Sequence, residues 1–312
     1  MRVIVVGLGV QGYKRRAVAG PDFVASVDPV NAEADYMRLE DVPLDRYDAV
    51  LACVPDVPKI ELLSYCVANR KHVLVEKPLW AESENDIAAL EERARRNSVV
   101  CYTAYNHRFE PHYVRMRDLI ATGELGTIYS CRMFYGNGTA RLVRESAWRD
   151  QGAGVLPDLG SHLLDTCRFW FGDIADDFAV VSARSFENRA PDHVVISSER
   201  PRMRIELEMT LLMWRNHFTC DILAENGTAH IQSLCKWGPS TFTVRKRILP
   251  SGRPPEESVT LVQDDPTWAI EYAHFKRICE SGMTSDLAND LWLYRALDRI
   301  GKDAIKVAEL PS

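Results

Sequence analysis

Residues 3–12 read Val3-Ile4-Val5-Val6-Gly7-Leu8-Gly9-Val10-Gln11-Gly12. Four β-branched apolar residues in succession suit a strand buried on both faces, the kind found in parallel sheets. The glycines that follow permit a tight turn, close approach of the backbone to a pyrophosphate, and close packing of helix on strand. A helix opened by this loop would turn free N–H groups and a positive dipole end toward a phosphate. The stretch predicts a strand, turn and helix with Gly7, Gly9, Val10, Gln11 and Gly12 against a dinucleotide. A glycine turn with a purely structural role is the competing reading.

Working outward, apolar runs at Phe23–Val27, Ala49–Val54, Val73–Val75 and Val99–Tyr102 alternate with helical patterns at Ile60–Asn69 and Ser83–Asn97. Ser83 with Asp86 three residues later has the form of a helix N-cap and acidic first turn. Strands alternating with helices predict a doubly wound parallel α/β sheet over residues 1–119. The connection Val30–Asp48 is weakly patterned. Asp28 ends the second strand, where a carboxylate accepts hydrogen bonds from a ribose and repels a 2′-phosphate, favouring NAD over NADP. A turn aspartate before Pro29 is the alternative, and Lys14, Arg15 and Arg16 keep NADP open.

The pattern then changes. Thr127–Tyr135, Phe178–Phe186, Met203–Met213, Phe218–Ala224, Thr228–Ser233 and Phe242–Ile248 read as strands. Met203, Ile205, Leu207, Met209 and Leu211 alternate with Arg204, Glu206, Glu208 and Thr210, the two-residue period of a sheet with one apolar face. Asn226-Gly227 signals a hairpin. Residues 120–312 are therefore expected to form an α+β domain with a mostly antiparallel sheet. The closing patterns Trp268–Ser281 and Asp290–Val307 are helical, and the last helix is expected to pack back on the first domain. Pro250–Pro255 reads as a loop. The apolar side chains of Met203–Met213 suggest a subunit face, hence a homodimer or homotetramer.

Two further segments carry ionisable groups. His72-Val-Leu-Val-Glu76-Lys77-Pro78 is a buried strand that delivers a carboxylate and an amine to a sheet edge, where ligands of open α/β sheets bind. A partly desolvated amine there can transfer protons. A surface Glu-Lys turn is the bland alternative. Residues 152–165 read Gly-Ala-Gly-Val-Leu-Pro-Asp-Leu-Gly-Ser-His-Leu-Leu-Asp. A helix from Pro157 puts Asp158, His162 and Asp165 on one face, a histidine flanked by carboxylates that suits proton transfer. The glycines before it would let the backbone lie close to a ligand. A capped helix with a hydrogen-bonded core histidine is equally consistent. No third ligand stands at metal spacing, so no metal is expected.

Composition narrows the classes. A net charge of −6 over 312 residues gives no broad attraction to nucleic acid or anionic membrane. No apolar run has membrane-spanning length, and Met1-Arg2 leads directly into Val3 without a signal-peptide layout. Eight scattered cysteines, with no Cys-x-x-Cys pair, suit apolar filling in a reducing cytoplasm.

Together, Gly7–Gly12, Glu76-Lys77-Pro78, Tyr105-Asn106-His107-Arg108-Phe109, Trp148-Arg149 and Gly152–Asp165 resemble the Gfo/Idh/MocA oxidoreductases, relatives of glucose–fructose oxidoreductase and inositol 2-dehydrogenase. The resemblance implies an N-terminal Rossmann domain and a C-terminal domain whose large sheet forms oligomer interfaces. It implies Lys77 as catalytic lysine, Glu76 near the nicotinamide ribose, Pro55 on the cofactor, and a cis bond before Pro78 that sets where Lys77 points. It makes His162 the acid/base histidine and Asp158 a ligand of substrate hydroxyls, with Tyr105, Asn106, Arg108, Trp148 and Arg149 beside the substrate. The implied activity is NAD(P)-dependent oxidation of a secondary alcohol of a sugar, cyclitol or sugar nucleotide. The alternatives are a non-catalytic NAD-binding regulator and an NAD-dependent glycosidase. Two positions depart from the family pattern. Lys59 stands four residues after Pro55, where many members have histidine, and Trp80 replaces a small residue and is expected to narrow the pocket. Arg141, Arg144 and Arg149 are candidate anion ligands or a solvated loop.

Overall fold

The computed structural model describes residues 1–146, 149–201, 203–283 and 285–309. The chain divides into two compact units, residues 1–106 with 267–294, and residues 107–266 with 295–312. The first division falls ahead of the expected 119/120, because the helix that begins at Pro111 packs with the second unit.

In the first unit, strands β1 (Val3–Val6), β2 (Phe23–Val27), β3 (Ala49–Ala52), β4 (His72–Glu76) and β5 (Cys101–Ala104) form one parallel sheet in the order β2-β1-β3-β4-β5. Helices α1 (Val10–Ala19), α2 (Lys59–Ala68) and α3 (Glu84–Arg96) are the crossovers. β1, β3 and the centre of β4 are fully buried, which explains their unbroken apolar runs. The order reverses beside β1, the point at which open α/β sheets bind ligands outside the carboxyl ends of their strands. Ser83 and Asp86 form the expected reciprocal capping box of α3. β5 lies two residues beyond the expected start, since Val99 and Val100 already bury themselves in the turn before it. The weakly patterned Val30–Asp48 holds only short 3-10 turns and one bridge to Tyr36.

In the second unit, α4 (Pro111–Thr122) precedes β6 (Ile128–Gly136), α5 (Ala140–Arg144) and α6 (Ser161–Phe171). Then follow β7 (Ala179–Arg184), β8 (His193–Glu199), β9 (Arg204–Thr210), β10 (His217–Ala224), β11 (Gly227–Gln232), β12 (Ser240–Lys246) and β13 (Glu256–Leu261). They make an eight-stranded sheet, β13-β12-β11-β10-β6-β9-β8-β7, antiparallel except for the β6–β9 pair. β10 and β11 join at the Asn226-Gly227 hairpin. Ile205, Leu207 and Met209 are fully buried, so the alternating apolar residues of β9 fill this unit's own core rather than a subunit face. The opposite face carries Arg132, Glu206 and Glu208, joined by salt bridges.

The chain returns to the first unit through α7 (Thr267–Glu280), whose Tyr272 and Lys276 both donate to Asp22. Ser285 accepts from the N–H of Cys101 at 2.6 Å and ties this return to the β5 edge. The last helix, α8 (Ala288–Glu309), divides between the units at 294/295. Its Arg299 donates to the carbonyl of Phe178 at 2.8 Å in the second unit.

Candidate active site

The glycine loop is held by its own backbone. Gly7 has φ +91°, and a Cβ there would stand 2.4 Å from the carbonyl oxygen of Cys53. A Cβ on Gly12 would stand 1.9 Å from the carbonyl oxygen of Gly7, so α1 can approach β1 only with glycine here. Gly9 differs: it is the N-cap of α1, and no heavy atom lies within 4 Å of where its Cβ would be. Among the described residues no side chain caps this first turn, and no acidic residue occupies it. Free N–H donors beside open room fit a diphosphate.

Asp28 borders this loop. Its Oδ2 accepts from the N–H of Leu8 at 2.7 Å, and its Oδ1 from Val30 and Asn31 at 2.9 and 2.8 Å. Burial pushes its carboxyl up, but the amides of Asn31, Leu8 and Val30 outweigh that and hold it below the usual range. The structure shows the turn role, and the carboxylate keeps further lone pairs for another donor. Arg15 is not available to a 2′-phosphate. Its guanidinium is 1 % exposed, with Nε 2.7 Å from Glu76 and Nη1 2.8 Å from Glu271, and lies 4.3 Å from the centre of the Trp268 ring. Burial favours the neutral form of Arg15, but Glu76 and Glu271 together raise its pKa above the ordinary value.

Lys77 follows β4 directly and is half-buried, with a cis bond to Pro78. Lys59, at the start of α2, reaches the same turn. Its ammonium, 2 % exposed, donates to Asp56 Oδ1 at 2.6 Å and to the carbonyl of Pro78 at 2.8 Å. Burial lowers its pKa against the pull of Asp56. Pro55 sits in the exposed turn before it. Trp80 packs on Tyr294, ring centres 5.3 Å apart, which gives its bulk a partner within the first unit. Asn106 donates to Thr267 at 2.8 Å, and Tyr105 is buried.

In the second unit, residues Leu156–Gly160 form a π-turn that runs into α6. It carries Asp158, with Arg149 Nη2 3.4 Å from Oδ2. Asp165 is buried and grips Arg108 with both oxygens, Nε at 2.8 Å. His162 is buried, its ring stacked on that of His107 with centres 3.9 Å apart and planes 18° from parallel. Gly154 does not face a ligand: its Cβ would meet the carbonyl oxygen of Pro191 at 2.0 Å, so it serves backbone packing. Arg141 and Arg144 are exposed on α5, as a solvated segment requires. Trp148 lies outside the described residues.

Sequence reasoning did not find Lys236. Its Nζ lies 3.0 Å from His107 Nε2 and 3.3 Å from the Tyr135 hydroxyl, and 4.7 Å from the centre of the Trp237 ring. Burial pulls its pKa down to about 8, against Asp265, Glu110 and Asp158. Glu110 is itself buried, accepts from the N–H of Cys235, and is raised by burial. Nothing local in Leu234-Cys235-Lys236-Trp237 marks these roles; only the pairing of distant segments reveals them. Among the described residues no cluster of His, Cys, Asp and Glu is arranged to hold a metal.

Residues 1–105 match the model of an oxidoreductase family with an NAD-binding Rossmann fold, and residues 113–230 match the GFO/IDH/MocA C-terminal domain. Among curated relatives, glucose-6-phosphate 3-dehydrogenase of Bacillus subtilis is 29% identical over 150 residues, 46% of this chain and 42% of that protein. Inositol 2-dehydrogenase 3 of Saccharopolyspora erythraea is 22% identical over 278 residues, 80% of this chain and 78% of that protein. This chain thus aligns with under half of the first relative and over three quarters of the second. The structure of a levoglucosan dehydrogenase complexed with NADH superposes with TM-score 0.81 at 19% identity, covering 99% of this chain and 98% of that one. That likeness concerns the fold.

Proposed function

Because the chain belongs to the Gfo/Idh/MocA oxidoreductases, we propose that it is an NAD-linked dehydrogenase acting on a secondary alcohol of a sugar or cyclitol. The observation that carries this reading is the open amino end of α1 at Gly9, framed by the glycine-only contacts of Gly7 and Gly12. The names of the similar proteins support the substrate class. NAD bound there supplies the hydride acceptor. What falls to this chain is binding, orientation and proton transfer.

Lys77 and His162 are the proposed acid–base groups for the hydroxyl proton, an assistance of about two to four powers of ten. Asp158, steadied by Arg149, accepts hydrogen bonds from neighbouring hydroxyls. Tyr105, Asn106, Arg108, Trp148 and Arg149 are proposed to shape the substrate's surroundings. Asp28 would take the adenosine ribose and favour NAD. Eight unpaired cysteines suit a reducing cytoplasm. Assembly into a dimer or tetramer would use the charged open face of the eight-stranded sheet. The test is a panel of sugars, cyclitols and sugar nucleotides assayed for NADH formation, with Lys77→Ala alongside. NADH formation lost in Lys77→Ala, with coenzyme binding kept, is the expected result. No NADH with any member, or near-normal turnover in Lys77→Ala, would overturn the reading.

A further inference from the structure

We propose that Lys236 is a positioning residue that fixes the tautomer of His107, so that His162 is the only imidazole of the stacked pair that gains a proton. The inference rests on the reading of His162 as an acid–base group. An ammonium has three donors and no acceptor. With Lys236 Nζ 3.0 Å from His107 Nε2, that ring nitrogen presents its lone pair, and the ring's one proton sits on Nδ1. His107 is therefore neutral. The low pKa of Lys236, about 8, still exceeds that of an ordinary imidazole, so the proton stays on the amine at neutral pH.

The stack gives this tautomer a consequence. The two rings lie 3.9 Å apart and nearly parallel, so two imidazolium ions there would repel directly. A protonated His162 on a neutral His107 instead rests on a π face, which attracts cations. Two tyrosine rings also pack on His107: Tyr113 meets it edge-on at 5.8 Å, and Tyr135 lies at 5.6 Å. Burial keeps Tyr113 protonated well beyond its usual range. The carboxylates of Asp265, Glu110 and Asp158 act on Lys236 and help it keep its charge.

Nitrogen–proton correlation spectra of the full chain, recorded without coenzyme or substrate from about pH 5 to pH 8, test this. His107 is expected to keep an unprotonated Nε2 and a protonated Nδ1 throughout, while His162 titrates. In Lys236→Met the single proton taken up by the stacked pair should be shared between the two rings, so His107 titrates as well as His162. Lys236→Arg keeps a donor-only cation and should return the titration to His162 alone. A wild-type His107 that carries its proton on Nε2 or titrates in this range overturns the proposal. So does a Lys236→Met protein whose His107 resonances match the wild type. Because the spectra need no turnover, failure of the dehydrogenase reading would leave the His107 result standing and so be told apart from failure here.

Discussion

Arg15 and Glu76 meet at 2.7 Å, joining the third position after Gly12 to the residue immediately before Lys77. The pair couples α1, the helix proposed to face the diphosphate, with the strand that leads into Lys77. Glu271 of α7 completes it at 2.8 Å. With Arg15 1 % exposed, removing its cation takes the counter-charge from the fully buried Glu271 and the largely buried Glu76. Arg15→Met should lose about 3–5 kcal/mol of stability in denaturant unfolding. Adding Glu271→Gln should recover part of that loss. Arg2→Ala, which breaks the half-exposed pair with Asp48, should cost far less. Equal losses for the two arginine variants would show that the triad does not act as a buried ion cluster.

The glycines of the loop separate fold from binding. Gly9→Ala meets no atom within 4 Å and keeps an extended ψ of −168°, so unfolding should change by about 1 kcal/mol or less. Its methyl would stand in the room proposed for the diphosphate. NAD affinity should therefore fall about tenfold or more, measured by calorimetry. Gly12→Ala drives a methyl into the Gly7 carbonyl and should damage stability and binding together. Wild-type affinity in Gly9→Ala would remove the diphosphate from this helix end.

How much of this was legible depended on how local the signal was. β1 and its glycine loop, the alternation of β9 and the capping box of α3 are written in neighbouring residues, and each stands where the pattern put it. β13 was missed because it is an edge strand with most side chains in solvent, so it has no apolar alternation to read. The π-turn was missed because its shape depends on packing: a Cβ on Gly160 would meet Met209 Sδ of β9 at 2.8 Å. Glu76 meets Arg15, Arg15 meets Glu271, and His107 meets Lys236, each from an element far away in the chain. Only a fold specifies which of many charged residues arrive.

Lys59 offers a test of how the turn after β4 is held. Lys59→Met leaves the Pro78 carbonyl without its donor and Asp56 without its cation. Small misplacements of a reacting group cost large factors in rate. Turnover should fall about tenfold or more while NAD affinity changes little. Lys59→His, with an N–H able to reach one acceptor, should restore part of kcat. Loss of coenzyme binding in step with turnover would mean that Lys59 supports the first unit generally rather than the Lys77 turn.

Lys236 predicts a pH dependence of stability whose sign follows from its shift. In the unfolded chain its ammonium titrates near 10.5, and in the folded protein near about 8. Below pH 8 both states hold the proton, and folding bears the full cost of burying the charge. Between pH 8 and 10.5 the unfolded state binds more protons than the folded one, so this group makes stability rise with pH. Part of the side chain stays accessible, so the gain is at most about 3 kcal/mol. Lys236→Met lacks the titration. In urea unfolding, the stability of wild type relative to Lys236→Met should shift toward wild type as pH rises through this window. Groups remote from Lys236 titrate in both proteins and cancel in the difference, and the raised carboxyl of Glu110 acts on the acid side. Parallel curves would mean that the ammonium keeps its water, and a fall with pH would mean that its carboxylate neighbours outweigh burial.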